Sequence, residues 1–280
     1  MKKLISLICV LAMVLALAAC GSSAPAAATE APAASTEAPA EDVSADKTFV
    51  VGICQLVQHP ALDAATQGFK DALTEALGDK VTFQEQNASG DSATCSLICN
   101  QFVSDEVDLI MANATASIQA AASATNTIPI LGTSITDYGV ALGVDNWTGV
   151  SGTNISGTSD LAPLDGQAAM IQELFPDAKT IGLLYCSGEP NSIFQADSME
   201  ALLTDMGYSV ERYTFADSND VSSVTANACS NSDVLYIPTD NTAASCTEAI
   251  NNVALSAGIP IVAGEEGLAS GCGVATLSIS

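Results

Sequence analysis

The sequence predicts an α/β fold in which two doubly wound parallel sheets form two lobes with a ligand cleft between them. Strand-like apolar runs alternate with amphipathic helices from Lys47 onward. This alternation pauses over residues 137–160 and then starts again, so that two series of similar size follow each other. We therefore assign residues 47–160 to a first lobe and residues 161–280 to a second.

The first lobe opens with TFVVGICQL over residues 48–56, a continuous apolar run typical of a strand that is buried on both faces. A helix then begins at Pro60, carries apolar residues at 3.6 spacing and ends at Gly78. The remaining elements predicted for this lobe are strands over 80–86, 107–113 and 128–135, and helices over 93–105 and from about 117.

The second lobe repeats the pattern. Its segment YSVERYTF alternates apolar and polar residues, which predicts a strand at the edge of a sheet. The elements predicted for this lobe are strands over 180–186, 208–215, 233–238 and 259–264, and helices over 192–206, 219–229 and 242–256.

The first 46 residues differ from both lobes in composition. Lys2 and Lys3 precede an uncharged apolar run that is too short to span a membrane but is typical of a secretion signal. The run ends in Leu-Ala-Ala-Cys at residues 17–20, which resembles the lipobox of bacterial lipoproteins. This resemblance implies cleavage of residues 1–19, a diacylglycerol on the Cys20 sulfur, and attachment to the cell membrane on its extracytoplasmic side.

Residues 20–46 then form a tether rich in Ala, Pro, Ser, Thr and Glu, which lacks the apolar side chains needed to fold. The chain as a whole is acidic, with 32 Asp and Glu against 7 Lys and Arg and a net charge of −25. Such a surface repels phosphate backbones, so we expect no nucleic-acid partner. We expect the folded part to be a monomer.

Polar loops follow the strands at the edge where parallel sheets bind ligands. In the first lobe these are Cys54-Gln55, NATAS (113–117) and TSITD (133–137). Helix starts in NATAS and in SGEPNS (187–192) offer free N–H groups to an anion such as a carboxylate. The carboxylates of PTDNT (238–242) and GEEG (264–267) suit an ammonium, so the cleft is predicted to bind a zwitterion such as an amino acid.

Longer motifs link this architecture to a known family. HPALDAATQGFKDAL, QFVSDEVDLIMANAT, LYCSGEPNS, YIPTDNTAAS and IPIVAGEEG resemble the substrate-binding lipoproteins of ABC importers, in the branch that binds tryptophan and tyrosine. The resemblance implies a Venus flytrap of the periplasmic-binding-protein type I, which closes on a small ligand and delivers it to a membrane permease. It implies no enzymatic activity and no cofactor, and it favours an aromatic amino acid.

By position, the resemblance implies ten ligand-binding residues that come from loops of both lobes. They are Thr115 and Ser117 for the ligand carboxylate, Ser187, Asn191 and Ser192 across the cleft, Asp240 with Asn241 and Glu265 for the ammonium, and Gln55 and Asp137 in the wall. Family members carry a further closing segment after GVATLSIS, so we expect the second lobe to be incomplete.

Two alternatives stay open. Cys54 and Cys186 end strands on opposite sides of the cleft and could hold a soft metal, although buried free thiols explain them as well. A sensory ligand-binding domain is the other alternative. The sequence contains neither a G-x-S-x-G nucleophile motif nor a phosphate-binding G-x-x-x-x-G-K, so it predicts no enzyme.

Overall fold

The computed structural model of the chain describes residues 47–279. The predicted signal segment, Cys20 and the tether lie outside these residues. The first sheet and its helices, called lobe 1 below, comprise β1 (Phe49–Gln55), α1 (Pro60–Leu77), β2 (Val81–Asn87), α2 (Ser92–Ser104), β3 (Leu109–Asn113), α3 (Thr115–Ala124), β4 (Ile130–Ile135), α4 (Tyr138–Leu142) and β5 (Ile155–Ser159).

Lobe 2 contains the second sheet. It comprises α5 (Leu164–Leu174), β6 (Thr180–Cys186), α6 (Pro190–Asp205), β7 (Ser209–Phe215), α7 (Val221–Asn231), β8 (Val234–Ile237), α8 (Asn241–Ser245), α9 (Thr247–Ala257), β9 (Ile261–Ala263), α10 (Glu266–Cys272) and β10 (Ala275–Thr276).

Both sheets are parallel and doubly wound. The strand order is β2-β1-β3-β4-β5 in lobe 1 and β10-β9-β8-β6-β7 in lobe 2, so the order reverses beside β1 and beside β6. In such sheets ligands bind beyond the carboxyl ends of the strands, at the point of reversal. The order also places β7 at an edge, as its alternating sequence predicts.

The central strands are buried because helices cover both faces of each sheet. In β1, Val51 and Ile53 are fully buried on one side of the sheet with Met111. On the other side, Phe102 of α2 packs so closely on Gly52 that a Cβ there would lie 2.6 Å from the Phe102 ring. Glycine at position 52 therefore lets α2 approach the strand.

The stretch expected to be irregular, 137–160, contains α4 and β5. The sequence of β5, ISGTS, lacks an apolar pattern because only Ile155 is buried. The strand forms through its pairing with β4, where Gly157 opposes Gly132. A Cβ on Gly157 would lie 2.1 Å from the Gly132 carbonyl oxygen, so this pairing depends on glycine rather than on apolar side chains.

The single helix predicted over 242–256 is two helices in the structure. It is divided at Cys246 into α8 and α9. The short α8 therefore has its own first turn of backbone N–H groups, and Asn241 and Thr242 of this turn lie at the cleft.

The two lobes contact each other directly. The chain crosses from β5 to α5 through residues 160–163. Across the cleft, His59 Nε2 lies 3.2 Å from Asn241 Oδ1. Gln195 Nε2 of lobe 2 lies 3.4 Å from Thr136 Oγ1 of lobe 1. These two contacts join the sides of the lobes that carry the strand ends.

Candidate functional site

Two cavities lie between the strand ends of the two lobes. The larger encloses about 540 Å³ beside the chain crossing at Asp160, and we call it the crossover cavity. The smaller encloses about 270 Å³ beside Glu189, and we call it the Glu189 cavity. The start of α1, the carboxyl ends of β4 and β5, and the loops that follow β5, β8 and β9 line the first. The loops that follow β1, β2, β6 and β7 line the second, together with Ala116 of α3 and the short α8. The expectation that the strand-end loops of both lobes face each other is therefore confirmed.

On the side of lobe 1, α1 and α3 begin without a side-chain cap. His59 precedes α1 without capping it, and Pro60 at the first position has no N–H to donate. Ala61 and Leu62, in the first turn of α1, line the crossover cavity. The positive end of this helix thus reaches the cavity through Ala61 and Leu62, while Asp63 of the same turn accepts a hydrogen bond from the Gln55 amide.

Helix α3 opens on the Glu189 cavity through Ala116. It is preceded by Ala114, which has φ of 88° and no side chain that could cap the helix. A positive φ is unfavourable for alanine, and strain of this kind concentrates at functional sites. The turn therefore presents uncapped backbone N–H groups toward the cleft.

On the side of lobe 2, carboxylates cover the starts of α8 and α10. Glu189 accepts hydrogen bonds from the backbone N–H of Asn241 at 3.1 Å and of Thr242 at 2.8 Å. It accepts three more, from the side chains of Asn241, Thr242 and Asn191. Five hydrogen bonds to one carboxylate make Glu189 the residue that joins the start of α6 to the start of α8.

Asp240 completes the same cap. Its carboxylate accepts hydrogen bonds from the backbone N–H groups of Ala243 and Cys186, both at 2.7 Å. Burial, and then the negative charge of Glu189, raise the pKa of Asp240 above its ordinary value. Asp240 therefore lines the crossover cavity while its oxygens already accept hydrogen bonds from the protein.

Glu265 caps the start of α10 in the same way. Its carboxylate accepts hydrogen bonds from the N–H of Gly267 at 2.7 Å and from the N–H of Leu268. It lines the crossover cavity together with Asp160, Glu266 and Asp240. No lysine or arginine lies among the described residues that line this cavity. The wall contributed by lobe 2 is therefore negative.

The contact between His59 and Asn241 has a defined direction. The Asn241 amide donates through Nδ2 to Glu189 at 2.7 Å, so its Oδ1 is the atom that faces His59. An oxygen can only accept, and His59 Nε2 therefore carries the proton. Both side chains are buried. Glu189 thus positions the lobe 2 half of a hydrogen bond that joins the two lobes.

The structure brings together only part of the site expected from the sequence. Asp240, Asn241 and Glu265 line the crossover cavity. Asn191 and Ser192 are buried beneath the Glu189 cap, and Ser187 is exposed and donates to the Phe215 carbonyl oxygen.

Four expected residues are placed differently from the expectation. Gln55 lies outside both cavities and bonds to Asp63 and Thr66, holding α1 on its sheet. Asp137 caps α4 and borders a separate surface depression with Trp147. The Ser117 hydroxyl faces the lobe 1 core, 3.6 Å from the Cys54 sulfur. Thr115 is buried and lines neither cavity, whereas Ala116 of the same turn lines the Glu189 cavity.

Several residues of the cleft are absent from the expected set, among them Glu189, His59 and Asp160. Glu189 belongs to the SGEPNS loop, where a carboxylate directly before a proline-initiated helix could have indicated a cap. His59 and Asp160 gave no such signal, because their roles depend on contacts with the other lobe.

The cysteines of the described residues are all free, and six of the seven are buried. Burial, followed by the charge of Asp240, raises the pKa of Cys186, so its thiol stays protonated at neutral pH. Cys54 and Cys186 contact their own lobes, with sulfurs 3.6 Å from Ser117 Oγ and the Ala216 carbonyl oxygen. No cluster of three or more potential metal ligands occurs among residues 47–279.

Comparison with known proteins agrees with this architecture. The family described as ABC transporter substrate binding protein matches residues 50–280. The tyrosine-binding protein of Clostridioides difficile (strain R20291) is 39% identical over 232 residues, which are 82% of this chain and 67% of that protein.

Two solved structures are also similar. The ABC domain from Streptococcus pneumoniae in complex with L-Trp is 31% identical with a TM-score of 0.76, covering 80% of this chain and 76% of that one. A substrate binding protein with adhesive properties from Clostridium difficile, in its ligand-free, open structure, is 38% identical with a TM-score of 0.56, covering 80% and 77%.

These similarities confirm the two-lobed Venus-flytrap fold. None of the helices within residues 47–279 is both long enough and apolar enough to cross a bilayer. Proteins of the matching family bind substrates for ABC transporters outside the cytoplasm and are not enzymes. This chain belongs to the ABC transporter substrate-binding protein family.

Proposed function

We propose that this protein captures a free aromatic amino acid, such as tyrosine or tryptophan, between its lobes and delivers it to an ABC permease. The observation that carries the proposal is the opposite polarity of the two cleft walls. Uncapped N-termini of α1 and α3 come from lobe 1, and carboxylates come from lobe 2. A zwitterion is the small ligand that complements both walls at once.

The crossover cavity is the better of the two cavities for such a ligand. Its volume of about 540 Å³ is in the range of small-molecule sites, whereas the 270 Å³ of the Glu189 cavity is below that range. In this placement the free N–H groups of Ala61 and Leu62 hold the ligand carboxylate. The α3 turn at Thr115–Ser117, expected from the sequence to do so, is the second anion position to be tested.

The preference for an aromatic side chain is supported by the tyrosine- and tryptophan-binding relatives. No Phe, Tyr or Trp of the described residues lines the crossover cavity. The ring would instead contact aliphatic side chains such as Leu62, Ala65 and Ile279. This favours size and shape, rather than ring stacking, as the basis of selectivity.

The arrangement of the lobes supports ligand capture by closure. The chain superimposes better on the tryptophan complex than on the open, ligand-free relative, although its identity to the open relative is higher. The contact between His59 and Asn241 holds the lobes together in the present arrangement. Ligand bound between two lobes would add further contacts that only the closed form makes.

Thermal-shift measurements on the purified protein with each of the twenty amino acids test this proposal. We expect a concentration-dependent rise in melting temperature with tyrosine or tryptophan, because a ligand that binds only the folded state stabilises it. A smaller rise with alanine and none with aliphatic amines would support recognition of the whole zwitterion. A response to no amino acid would contradict the proposal.

We also propose that Cys20 carries the lipid that retains the protein at the membrane and that the folded part is a monomer. A Cys20→Ser variant should move from the membrane fraction to the soluble fraction, while ligand binding is unchanged. Retention of this variant in the membrane fraction would contradict the lipid anchor. Light scattering that shows a dimer would contradict the monomer.

A further inference from the structure

Asp160 is the residue of the crossover cavity whose carboxylate has one oxygen without a partner. It follows β5, where the chain passes from lobe 1 to lobe 2, and its backbone N–H donates to the Ile135 carbonyl oxygen at 3.1 Å. Its Oδ1 atom is buried, and no donor among the described residues lies within hydrogen-bonding distance. Buried polar atoms are normally satisfied, so an orphaned carboxylate oxygen beside a cavity calls for an explanation.

The other carboxylates of the cavity do not share this property. Asp240 and Glu265 accept backbone hydrogen bonds at the starts of α8 and α10. Glu266 is exposed to solvent. Asp160 is thus the cavity carboxylate with a buried oxygen atom, Oδ1, that has no donor among the described residues.

The surroundings make ionisation of Asp160 costly. Burial raises its pKa to about 6, the Thr136 hydroxyl offsets part of this rise, and the charge of Glu265 adds to it. The other titratable groups nearby are Tyr138, whose pKa the Asp160 charge helps to raise, and His59, Asp240 and Glu266 in the cavity wall. The described lysines and arginine do not line this cavity. A cation from outside the chain would therefore stabilise the ionised Asp160.

We infer that Asp160 accepts the α-ammonium group of the bound amino acid in the crossover cavity. This inference rests on the proposed function and assigns the ammonium to a residue other than Asp240. A primary ammonium has three donors, and one of them would satisfy the orphaned oxygen. The remaining donors are available to Glu265 or to hydroxyls of the wall such as Thr239.

The position of Asp160 also links recognition to closure. The adjacent Thr136 hydroxyl oxygen accepts from Gln195 of lobe 2 at 3.4 Å. An ammonium on Asp160 lies beside this contact and faces the helix starts of lobe 2. Binding there would favour the arrangement in which the lobes meet.

The test compares L-tyrosine with 3-(4-hydroxyphenyl)propionate, which has the same ring and carboxylate but no ammonium. Binding of both is measured by calorimetry to the wild type, to Asp160→Asn and to Glu75→Gln, the control at an exposed carboxylate of α1 outside the cavity. Asp160→Asn should weaken L-tyrosine about ten- to hundredfold, since a charge-assisted hydrogen bond is lost, and leave the propionate within about twofold. Glu75→Gln should change the affinity for neither ligand by more than about twofold.

A second pair of measurements keeps the inference testable if Asp160→Asn does not fold, as judged by its melting curve. For the wild type, the affinity for L-tyrosine should fall about tenfold from pH 7 to pH 5 as Asp160 is protonated, while the affinity for the propionate stays level. Asp160→Glu keeps the charge and should retain both the preference for L-tyrosine and its pH dependence.

The outcomes separate the two proposals. A wild type that binds no amino acid overturns the proposed function and this inference together. A wild type that binds L-tyrosine while Asp160→Asn binds it equally well overturns the inference alone. Equal weakening of L-tyrosine and the propionate by Asp160→Asn also overturns it, because that result indicates a structural role only.

Discussion

The two walls of the cleft have the same construction but opposite polarity. Both are made of loops that follow the carboxyl ends of parallel strands, and both present helix starts to the cavity. In lobe 1, α1 and α3 begin without a side-chain cap. In lobe 2, the starts of α8 and α10 are covered by Glu189, Asp240 and Glu265.

This difference shows how an acidic protein can bind a carboxylate. The net charge of −25 describes the whole surface and gives no information about an individual helix start. A helix N-terminus carries a local positive charge of about half a unit when nothing neutralises it. The start of α1 lacks a side-chain cap, and its acidic residue Asp63 is bonded to the Gln55 amide, so its first N–H groups are free for an anion without any lysine or arginine.

The largest effect on amino-acid affinity is expected when a carboxylate is added at the start of α1, which lacks a side-chain cap. Ala61→Asp places a carboxylate in the first turn of α1, where it should stabilise the helix by about 0.3–1 kcal/mol. The same carboxylate occupies the N–H groups proposed for the ligand, and amino-acid affinity should fall by about 2–3 kcal/mol. Calorimetry with L-tyrosine and a thermal melt of the unliganded protein measure the two effects.

Ala116→Asp is the matched control for this experiment. It makes the same change in the first turn of α3, which opens on the smaller cavity. If Ala116→Asp abolishes binding and Ala61→Asp does not, the ligand carboxylate lies at α3, as the sequence resemblance implied, and our choice of cavity is wrong.

The next largest effect is expected in lobe 2, at the Glu189 carboxylate that covers the start of α8. Glu189→Gln replaces an acceptor of five hydrogen bonds by an amide with a single oxygen. The start of α8 then loses charge-assisted bonds, and the free energy of unfolding should fall by about 2–3 kcal/mol. Denaturant unfolding measures this loss, with the exposed Glu75→Gln on α1 as the control, which should change it by less than about 0.5 kcal/mol.

Features of the fold that arise from local sequence patterns could be predicted, whereas features that depend on contacts between residues far apart in the sequence could not. The buried strands and the Pro60 and Gly78 boundaries of α1 follow from local apolar patterns and from the backbone preferences of these residues. The strand β5 does not, because Gly157 contributes only a lack of steric hindrance to its pairing with Gly132.

The same distinction applies to the site. Asp240 and Glu265 could be predicted because a carboxylate directly before a helix is a local signal. His59 bonds to a residue 182 positions away, and no local pattern indicates that contact. The direction of the Ser117 hydroxyl could not be read either, since it is decided by how α3 packs on Cys54 of β1.

A smaller effect concerns pH and the unliganded protein. The pKa of Asp160 is raised to about 6 in the folded state from an ordinary value of 3.8, so the folded state binds its proton more readily than the unfolded state. This contribution to stability is present at low pH and is lost as the pH rises through about 4 to 6.

We therefore expect Asp160 to lower the free energy of unfolding of the unliganded wild type by about 1–2 kcal/mol between pH 4.5 and pH 7.5. Asp240, whose pKa is raised by burial and by Glu189, acts in the same direction. Asp160→Asn should remove the contribution of Asp160 to the pH dependence of the free energy of unfolding and leave the contribution of Asp240. Urea unfolding of both proteins across this range measures the difference, and identical slopes would contradict the burial of the Asp160 carboxylate.

The smallest expected effect concerns the hydrogen bond between the lobes. His59→Ala removes the donor to Asn241 and should weaken amino-acid binding by about 1 kcal/mol, because the closed arrangement loses a contact that the open one does not make. His59→Gln can still donate through its amide and should restore part of the loss. Small-angle scattering of the unliganded variants should show a larger radius for His59→Ala than for the wild type, and equal radii would contradict the role of this contact.

The measurement that tests the central claim most directly compares three ligands that share one ring. Calorimetry with L-tyrosine, 3-(4-hydroxyphenyl)propionate and tyramine removes the ammonium in one case and the carboxylate in the other. If lobe 1 holds the carboxylate and lobe 2 with Asp160 holds the ammonium, each partial ligand should bind at least about tenfold more weakly than L-tyrosine. Binding of either partial ligand as tightly as L-tyrosine would show that one wall alone suffices and would contradict the account.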